Sequence, residues 1–420
     1  MRSRLLAAAV GLALVAGLPG ALALRPANRP PVAAVPARLR AVVGAAFEAR
    51  LDATDPDGDE LRWSATDLPP GVRLDAGGQL HWSPAADQAG TYAVEVVVTD
   101  ADGAATRAAI ELVARHPAHP DLYLAMGDSV ASGHGLEWRD YLGGDPCWRD
   151  GADSYPAQFL AGQRATHGPP GPPLTTLALV ACSGHRAADL LTAPVDGGPA
   201  LKDQPGRMTQ VAWAVAANPG LVTITVGAND VGVGHPGDAV GPGGVVDEGL
   251  VGARLTELQE RLTAVLRRLA DATDARIVVT TYHNPAAPDA NGVPGCRRAC
   301  FRAATAAVVA DLNHTLRAVA GTIPPDRVAV AEVTAAFDGH EAPNGRGPDF
   351  LRDARSPLPV PALLGWTGDV HPYCADGHSL SRDPWISAVD CIHPNRAGAR
   401  AYADATGTAW RTAAWAAPPA

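Results

Sequence analysis

The chain has 420 residues, 47% of them hydrophobic and 19% charged, a balance that excludes a wholly disordered polymer. Its 34 basic and 44 acidic residues leave a formal charge of −10 with Lys202 as the single lysine, which excludes a nucleic-acid partner, because such proteins neutralise phosphates with clustered cations. Gly (44) and Pro (38) are in excess without a repeat period, so long ordered loops or linkers are expected rather than collagen, in two or three domains of roughly 150 residues each.

Residues 1–23 open with Arg2 and Arg4, continue through the apolar run Leu5 to Leu18 and end in Ala21-Leu22-Ala23, a small-x-small cleavage pattern. This is the pattern of a secretory signal peptide. Pro19-Gly20 would break a spanning helix, no cysteine near Ala23 offers a lipid acceptor, and no later stretch has about 20 uninterrupted apolar residues. The mature protein is therefore expected to be soluble and extracellular, without a membrane span and as a monomer. Loss of Arg2 and Arg4 takes its charge from −10 to −12.

Secretion turns the six cysteines from metal ligands into disulfide candidates. They are Cys147, Cys182, Cys296, Cys300, Cys374 and Cys391, and the 15 possible connectivities are not distinguished by sequence, although sequential pairing is the simplest. Zinc at Cys296-Arg-Arg-Ala-Cys300 is disfavoured by the two intervening arginines and the lack of a second ligand pair nearby.

A Pro-rich linker spans 24–36. Residues 37–115 then alternate in strand-like runs such as Gly90 to Thr99, separated by the turn clusters Asp55 to Asp59, Leu68 to Gly71 and Asp100 to Gly103, a pattern that predicts a small all-β sandwich. The runs Thr54 to Trp63, Leu68 to Val72 and Trp82-Ser-Pro84 resemble the cadherin-like and Ig-like modules of secreted bacterial proteins. No nucleophile or acid/base pattern occurs here, so adhesion or spacing is expected, with polysaccharide or cell wall as a candidate contact. Asp55, Asp57 and Asp59 could group oxygen ligands for Ca²⁺, but Asp and Gly also simply make such a turn, and the glycine is misplaced for an EF-hand loop. The turn is the favoured reading.

His116-Pro-Ala-His-Pro120 is expected to be a short stiff hinge. Beyond it, across 121–420, apolar runs at Leu122 to Met126, Leu174 to Ala181, Leu221 to Val226, Arg276 to Thr281 and Val328 to Val333 read as buried parallel strands, and Arg254 to Ala272 and Arg298 to Ala320 as helices. Five such strands with intervening helices predict a doubly wound three-layer α/β/α sandwich, whose site lies at the carboxyl ends of the strands.

Those ends carry Gly127-Asp128-Ser129-Val130, Cys182-Ser183-Gly184-His185 and Gly227-Ala228-Asn229-Asp230, with Asp390-Cys391-Ile392-His393-Pro394-Asn395 near the C-terminus. Serine acyl transfer needs a nucleophile, a base, a carboxylate to orient the base and donors for the oxyanion. Ser129 on a sharp turn fits the nucleophile, His393 the base and Asp390, three residues earlier, the orienting acid. Gly184, Asn229 and the N–H of Ser129 fit the oxyanion donors. Ser183 is a weaker nucleophile candidate, lacking the turn; His134, His283, His371 and His378 read as surface or rim groups, and Asp128 as a support of the turn. Trp138, Trp148 and Tyr155 could line an acyl or sugar pocket or fill a Gly/Pro-rich loop.

With these motifs in order, residues 121–415 resemble the SGNH (GDSL) hydrolases, specifically the secreted lipase and esterase branch of GC-rich actinobacteria. Ser129, Gly184, Asn229 and His393 match the four namesake positions, and Asp390 matches the acid of the Asp-x-x-His block. Val130 and Ala228 stand where the family usually has Leu and Gly, which removes no functional group; His185 is less expected and is a candidate pocket residue. The resemblance implies a flavodoxin-like fold, no metal or other cofactor, and hydrolysis of carboxylic esters through an acyl-enzyme. In the branch suggested by Ser154-Tyr-Pro156 and Asp230-Val-Gly232, it also implies the sequential pairs Cys147–Cys182, Cys296–Cys300 and Cys374–Cys391. Lipids, phospholipids, short-chain esters and acetylated sugars all suit such a fold. The alternative from another class is a wall-binding adhesion protein with a vestigial hydrolase domain.

Overall fold

Alternation of side chains in the first part of the chain and unbroken apolar runs in the second divide the computed structural model into two kinds of sheet. It describes residues 27–134, 136, 145–163, 172–201, 206–232, 238–239, 246–284, 300–337, 393–394 and 396–415. Strands β1 (Val32–Ala34) to β9 (Ala105–Arg115) form the N-terminal module. Between these lie β2 (Arg38–Val42), β3 (Phe47–Arg50), β4 (Asp52–Thr54), β5 (Arg62–Ala65), β6 (Arg73–Leu74), β7 (Gln79–Trp82) and β8 (Gly90–Thr99). A four-stranded sheet, ordered β2-β9-β8-β5, and a three-stranded one, β3-β7-β6, contribute side chains to one core, and β1 pairs with β4. In β8 the strand period of two puts Val94, Val96 and Val98 at 3% exposure or less while Glu95 faces water. The expected sandwich is present.

The second sheet contains β10 (His119–Gly127), β11 (Thr176–Leu179), β14 (Pro219–Thr225), β15 (Arg276–Thr280) and β16 (Val328–Ala331), in the order β11-β10-β14-β15-β16, all parallel. The short strands β12 (Pro194–Val195) and β13 (Met208–Thr209) pair separately. Leu122 to Met126 are all buried, as a strand covered on both faces requires. Eight α-helices are described. They are α1 (Ser129–Ser132), α2 (Tyr155–Gln163), α3 (Asp189–Thr192), α4 (Gln210–Ala217), α5 (Ala228–Val231), α6 (Glu248–Ala272), α7 (Cys300–Ala320) and α8 (Arg396–Thr412). α2 packs on α8, and α6 packs on α4 and α7, so two sets of helices cover the sheet. The stripe Leu258, Leu262, Val265, Leu266, Leu269 of α6 is wholly buried. Asp247 caps that helix by accepting from Leu250 N at 2.9 Å, which moves its start ahead of the expected Arg254. Among the described residues no helix is long and apolar enough to cross a membrane.

Numbered by sequence, the parallel strands run 2-1-3-4-5, so the order reverses between β10 and β14. In doubly wound sheets the ligand crevice opens at that switch point. Ser129 follows β10, and Asn229 follows β14.

The segment expected to be a hinge is held on both sides. His119 already belongs to β10, its N–H donates to Asn218 O at 3.0 Å and its Nδ1 lies 2.6 Å from Ala217 O. Asn218 Nδ2 donates to His116 O at 2.9 Å. The module then docks through Asp274. Arg40 Nη1 meets Asp274 Oδ1 at 3.0 Å, Arg115 Nε lies 3.9 Å from the same oxygen, and Asp274 N donates to Asn218 Oδ1 at 2.7 Å. Arg268 Nη1 adds a bond to Ala89 O at 2.7 Å. Arg115 is 8% exposed; burial lowers its pKa to about 10, opposed by Asp274.

Removing the half-buried carboxylate beside the buried Arg115 leaves that charge uncompensated, whereas exposed pairs contribute little. Asp274→Ala should therefore lose about 2–3 kcal/mol of stability and split off an earlier melting transition in calorimetry, while Arg40→Ala should lose less than about 1 kcal/mol. An Asp274→Ala protein melting like the parent would refute the docking role.

Candidate active site

The turn between β10 and α1 begins with Gly127 at φ +133°, where a Cβ would lie 2.0 Å from Thr225 O on β14. Only glycine fits so close to a neighbouring strand. The fully buried Gln210, at the start of α4, brackets this residue. Gly127 N donates to its Oε1 at 2.6 Å, and its Nε2 donates back to Gly127 O at 3.0 Å. The chain then turns into α1 through Asp128, whose Oδ1 accepts from Val130 N at 2.9 Å as the N-cap. Ser129 becomes the first helical residue, 8% exposed.

Asp128 has no exposed surface and also accepts a hydrogen bond from Tyr282 Oη, at the end of β15. Burial pushes the carboxyl up to about 6, against the opposing pull of Tyr282, Val130 N and nearby His393. Burial likewise pushes Asp230, after β14, up to about 7, although both its oxygens accept from Ala187 N at 3.1 Å. Neither Gln210 nor Tyr282 was picked out from sequence. Tyr282 directly follows a predicted strand and was open to the same strand-end reading as Ser129; Gln210 carries no local signal.

His393 is half-buried, and its ring stacks on His134 with centroids 4.5 Å apart and planes inclined by 25°. Pro394 shares with Val130, Gly133 and His134 a cavity of about 10 Å³, the size of one water. The end of α1 and the residues around His393 therefore meet. Gly184 is exposed at φ +82°, a conformation that favours glycine, in the loop after β11. Asn229 Nδ2 donates to His185 O at 3.0 Å, tying the loops after β11 and β14; a side-chain amide carries a second N–H that this bond does not use. Asp390 lies outside the described residues.

Cys147 and Cys182 are disulfide-bonded, as expected. The bridge joins the loop before α2 to the residue two before Gly184, and Ser183 N donates to Cys147 O at 3.1 Å beside it. Cys296, Cys374 and Cys391 lie outside the described residues, as do Trp138, His371 and His378, and Cys300 is described only as the first residue of α7.

Several expectations change. His283 is not a rim group: it is 4% exposed, bonds Tyr402 Oη through Nδ1 at 2.8 Å and stacks on Phe337. Tyr155 fills the core, its hydroxyl 2.8 Å from Thr225 Oγ1. Trp148 stands edge-on to His134. His185, the candidate pocket residue, places Nδ1 3.0 Å from Gln210 Nε2. Ser183 Oγ lies 2.8 Å from His134 Nδ1. In the N-terminal module Asp55 Oδ1 accepts from Asp57 N and Asp59 N at 2.7 and 3.2 Å, as a turn-forming Asp does. Asp57 is engaged by Arg29, so the carboxylates within 4.8 Å of one another, which could hold a cation, belong to Asp55, Asp59 and Asp100 instead.

A family model described as GDSL-like Lipase/Acylhydrolase matches residues 123–406, and one described as Putative Ig domain matches residues 30–114. Among solved structures, a "putative GDSL-like lipase" from Parabacteroides merdae is 13% identical, with 70% of this chain and 98% of that chain covered at a TM-score of 0.35. An endo-fucoidan hydrolase of glycoside hydrolase family 107 is 23% identical over 22% of this chain and 14% of its own, with a TM-score of 0.19. The SrpA adhesin from Streptococcus sanguinis is 18% identical over 21% of this chain and 58% of its own, with a TM-score of 0.18. This chain thus spans less than two thirds of either of those two proteins, and likenesses so partial say nothing of its chemistry. No curated protein matches the chain.

The buried carboxyl sets a pH dependence. With a folded-state value raised from 3.8 to about 6, Asp128 contributes stability that is fully present below 3.8 and is lost as pH rises through about 6. The loss is about 3 kcal/mol at roughly 1.4 kcal/mol per unit. Asp128→Asn should therefore lose less stability than the parent between pH 4 and pH 7 in urea unfolding; parallel curves would contradict the assignment. Closing the 35-residue separation between Cys147 and Cys182 is worth roughly 4 kcal/mol by loop entropy. A Cys147→Ser/Cys182→Ser double variant should lose stability on that scale in the same measurement.

Proposed function

Because the chain belongs to the GDSL-like lipase/acylhydrolase family, a hydrolase family of ester substrates, we propose that it is a secreted serine carboxylic ester hydrolase of the actinobacterial lipase and esterase type. Ser129 is its nucleophile, His393 its general base and Asp390 the acid that orients the base. One observation supports this reading: His393, distant in sequence, stacks on His134, just past the helical turn that opens with Ser129, near the switch point of the sheet.

In this mechanism Ser129 Oγ attacks the ester carbonyl carbon as its proton passes to His393. The carbonyl oxygen becomes an oxyanion, received by the N–H groups of Ser129 and Gly184 and the amide of Asn229. Each such donor is typically worth roughly 3–4 kcal/mol of barrier. Collapse of the tetrahedral intermediate breaks the bond to the leaving alcohol, which takes the proton from His393 and leaves an acyl group on Ser129. Water then attacks the acyl carbon, giving one proton to His393; the second collapse returns that proton to Ser129 Oγ and releases the acid.

Secretion is supported by the leader-like residues 1–23 and by the Cys147–Cys182 bridge, since disulfides persist in oxidising compartments. The N-terminal module, docked on the hydrolase domain, offers the surface for polysaccharide or cell-wall contact.

A fluorophosphonate probe should label Ser129, and Ser129→Ala should reduce p-nitrophenyl ester turnover by at least about 10³-fold. Full turnover in that variant would sink the reading. Esters of graded acyl length, assayed beside phospholipid and acetylated xylan, would separate lipase, phospholipase and carbohydrate esterase activities.

A further inference from the structure

His134 follows α1 closely and is fixed from several directions. Its backbone N–H donates to Ser129 O at 3.0 Å, so the residue hangs from the nucleophile's own turn. One face of its ring carries His393 at 4.5 Å, Trp148 stands edge-on at 4.1 Å with planes inclined by 72°, and Nδ1 lies 2.8 Å from Ser183 Oγ. Both remaining contacts lead to the disulfide, because Trp148 follows Cys147 and Ser183 follows Cys182. The ring under His393 is thereby anchored to α1, to the loop before α2 and to the loop that carries Gly184.

We propose that His134 is a positioning residue for the general base, supplying the aromatic face on which His393 rests. The proposal deepens the ester-hydrolase reading and rests on it. An imidazole base works only when its nitrogen points at the serine hydroxyl, and a stacked ring removes the orientations in which it does not. When His393 takes the serine proton it becomes a cation lying over an aromatic face, an attraction present only as charge develops. The effect therefore falls on kcat and leaves substrate binding nearly untouched.

The test is steady-state kinetics on a p-nitrophenyl ester, with fluorophosphonate labelling in parallel, for the full chain and three variants. His134→Ala and His134→Leu, which remove the aromatic face, should lower kcat by at least about tenfold with KM changed less than about twofold, whereas His134→Phe should return kcat to within about threefold of the parent. If the alanine variant does not fold, the comparison of leucine with phenylalanine carries the test, since both fill the site and only one presents a π face. Equal kcat for His134→Leu and His134→Phe, or a loss expressed mainly in KM, overturns the proposal. A parent protein that neither turns over ester nor labels at Ser129 overturns the active-site reading itself, and this inference with it.

Discussion

At the crossing of β10 and β14, Gly127 passes so close to Thr225 O that no other side chain can occupy the position. Everything that gives the site its shape hangs from this contact. It allows Asp128 N to reach Thr225 O at 2.8 Å, which sets the direction in which the chain leaves the sheet, and α1 starts at once with Ser129. Gln210 seals the crossing from α4 by accepting from Gly127 N and donating to Gly127 O, which also accepts from Cys182 N at 3.0 Å, so both polar groups of this buried backbone unit are paired. The nucleophile candidate is thus placed by backbone geometry in a sheet, which is stiffer than any loop.

Beneath that turn the interior is polar in a sheet otherwise rich in Val, Leu, Ile and Ala. Tyr123 and Tyr155 bond Thr223 and Thr225, Thr225 bonds Thr280, and Tyr282 bonds Asp128. Each hydroxyl can both give and accept, so β10, β14 and β15 and the start of α2 are joined by partners with narrow angular tolerance. A carboxyl raised to about 6 within this network marks stability given up to hold Asp128 beside Ser129.

The sheet was legible because its signal is local. Runs such as Leu122 to Met126 are buried on both faces, and α6 carries its stripe at helical spacing, so composition along a few residues decides the element. The strand-end positions of Ser129, Gly184 and Asn229 were legible for a related reason, since each stands just past such a run. What escaped was set by tertiary partners. His283 looks like a loop histidine until Tyr402 of α8 and Phe337 enclose it, Asp57 looks like a ligand until Arg29 engages it, and Asp100 joins Asp55 and Asp59 only when β8 and β4 end side by side. The hinge-like prolines around His119 likewise say nothing of Asn218, which fastens them from the end of α4.

Loops rich in Gly and Pro have little backbone pairing of their own, so the residues they carry must be fixed by cross-links. Residues 145–154 serve that purpose. Asp150 N donates to Ser132 O at 2.7 Å, which ties the segment to α1, while Cys147 ties it to Cys182 and Arg149 reaches Leu179 O and Asp196. Asp150 Oδ1 accepts from Ala152 N and Asp153 N, keeping the segment folded on itself just before α2. The end of α1 and the loop after β11 are therefore held at a fixed separation by one segment that lies between them. His134 sits inside that frame, bonded to Ser183 and edged by Trp148, so the plane it presents to His393 is determined before any substrate arrives. Ordering that ring during folding means that its entropy is not charged against the reaction step.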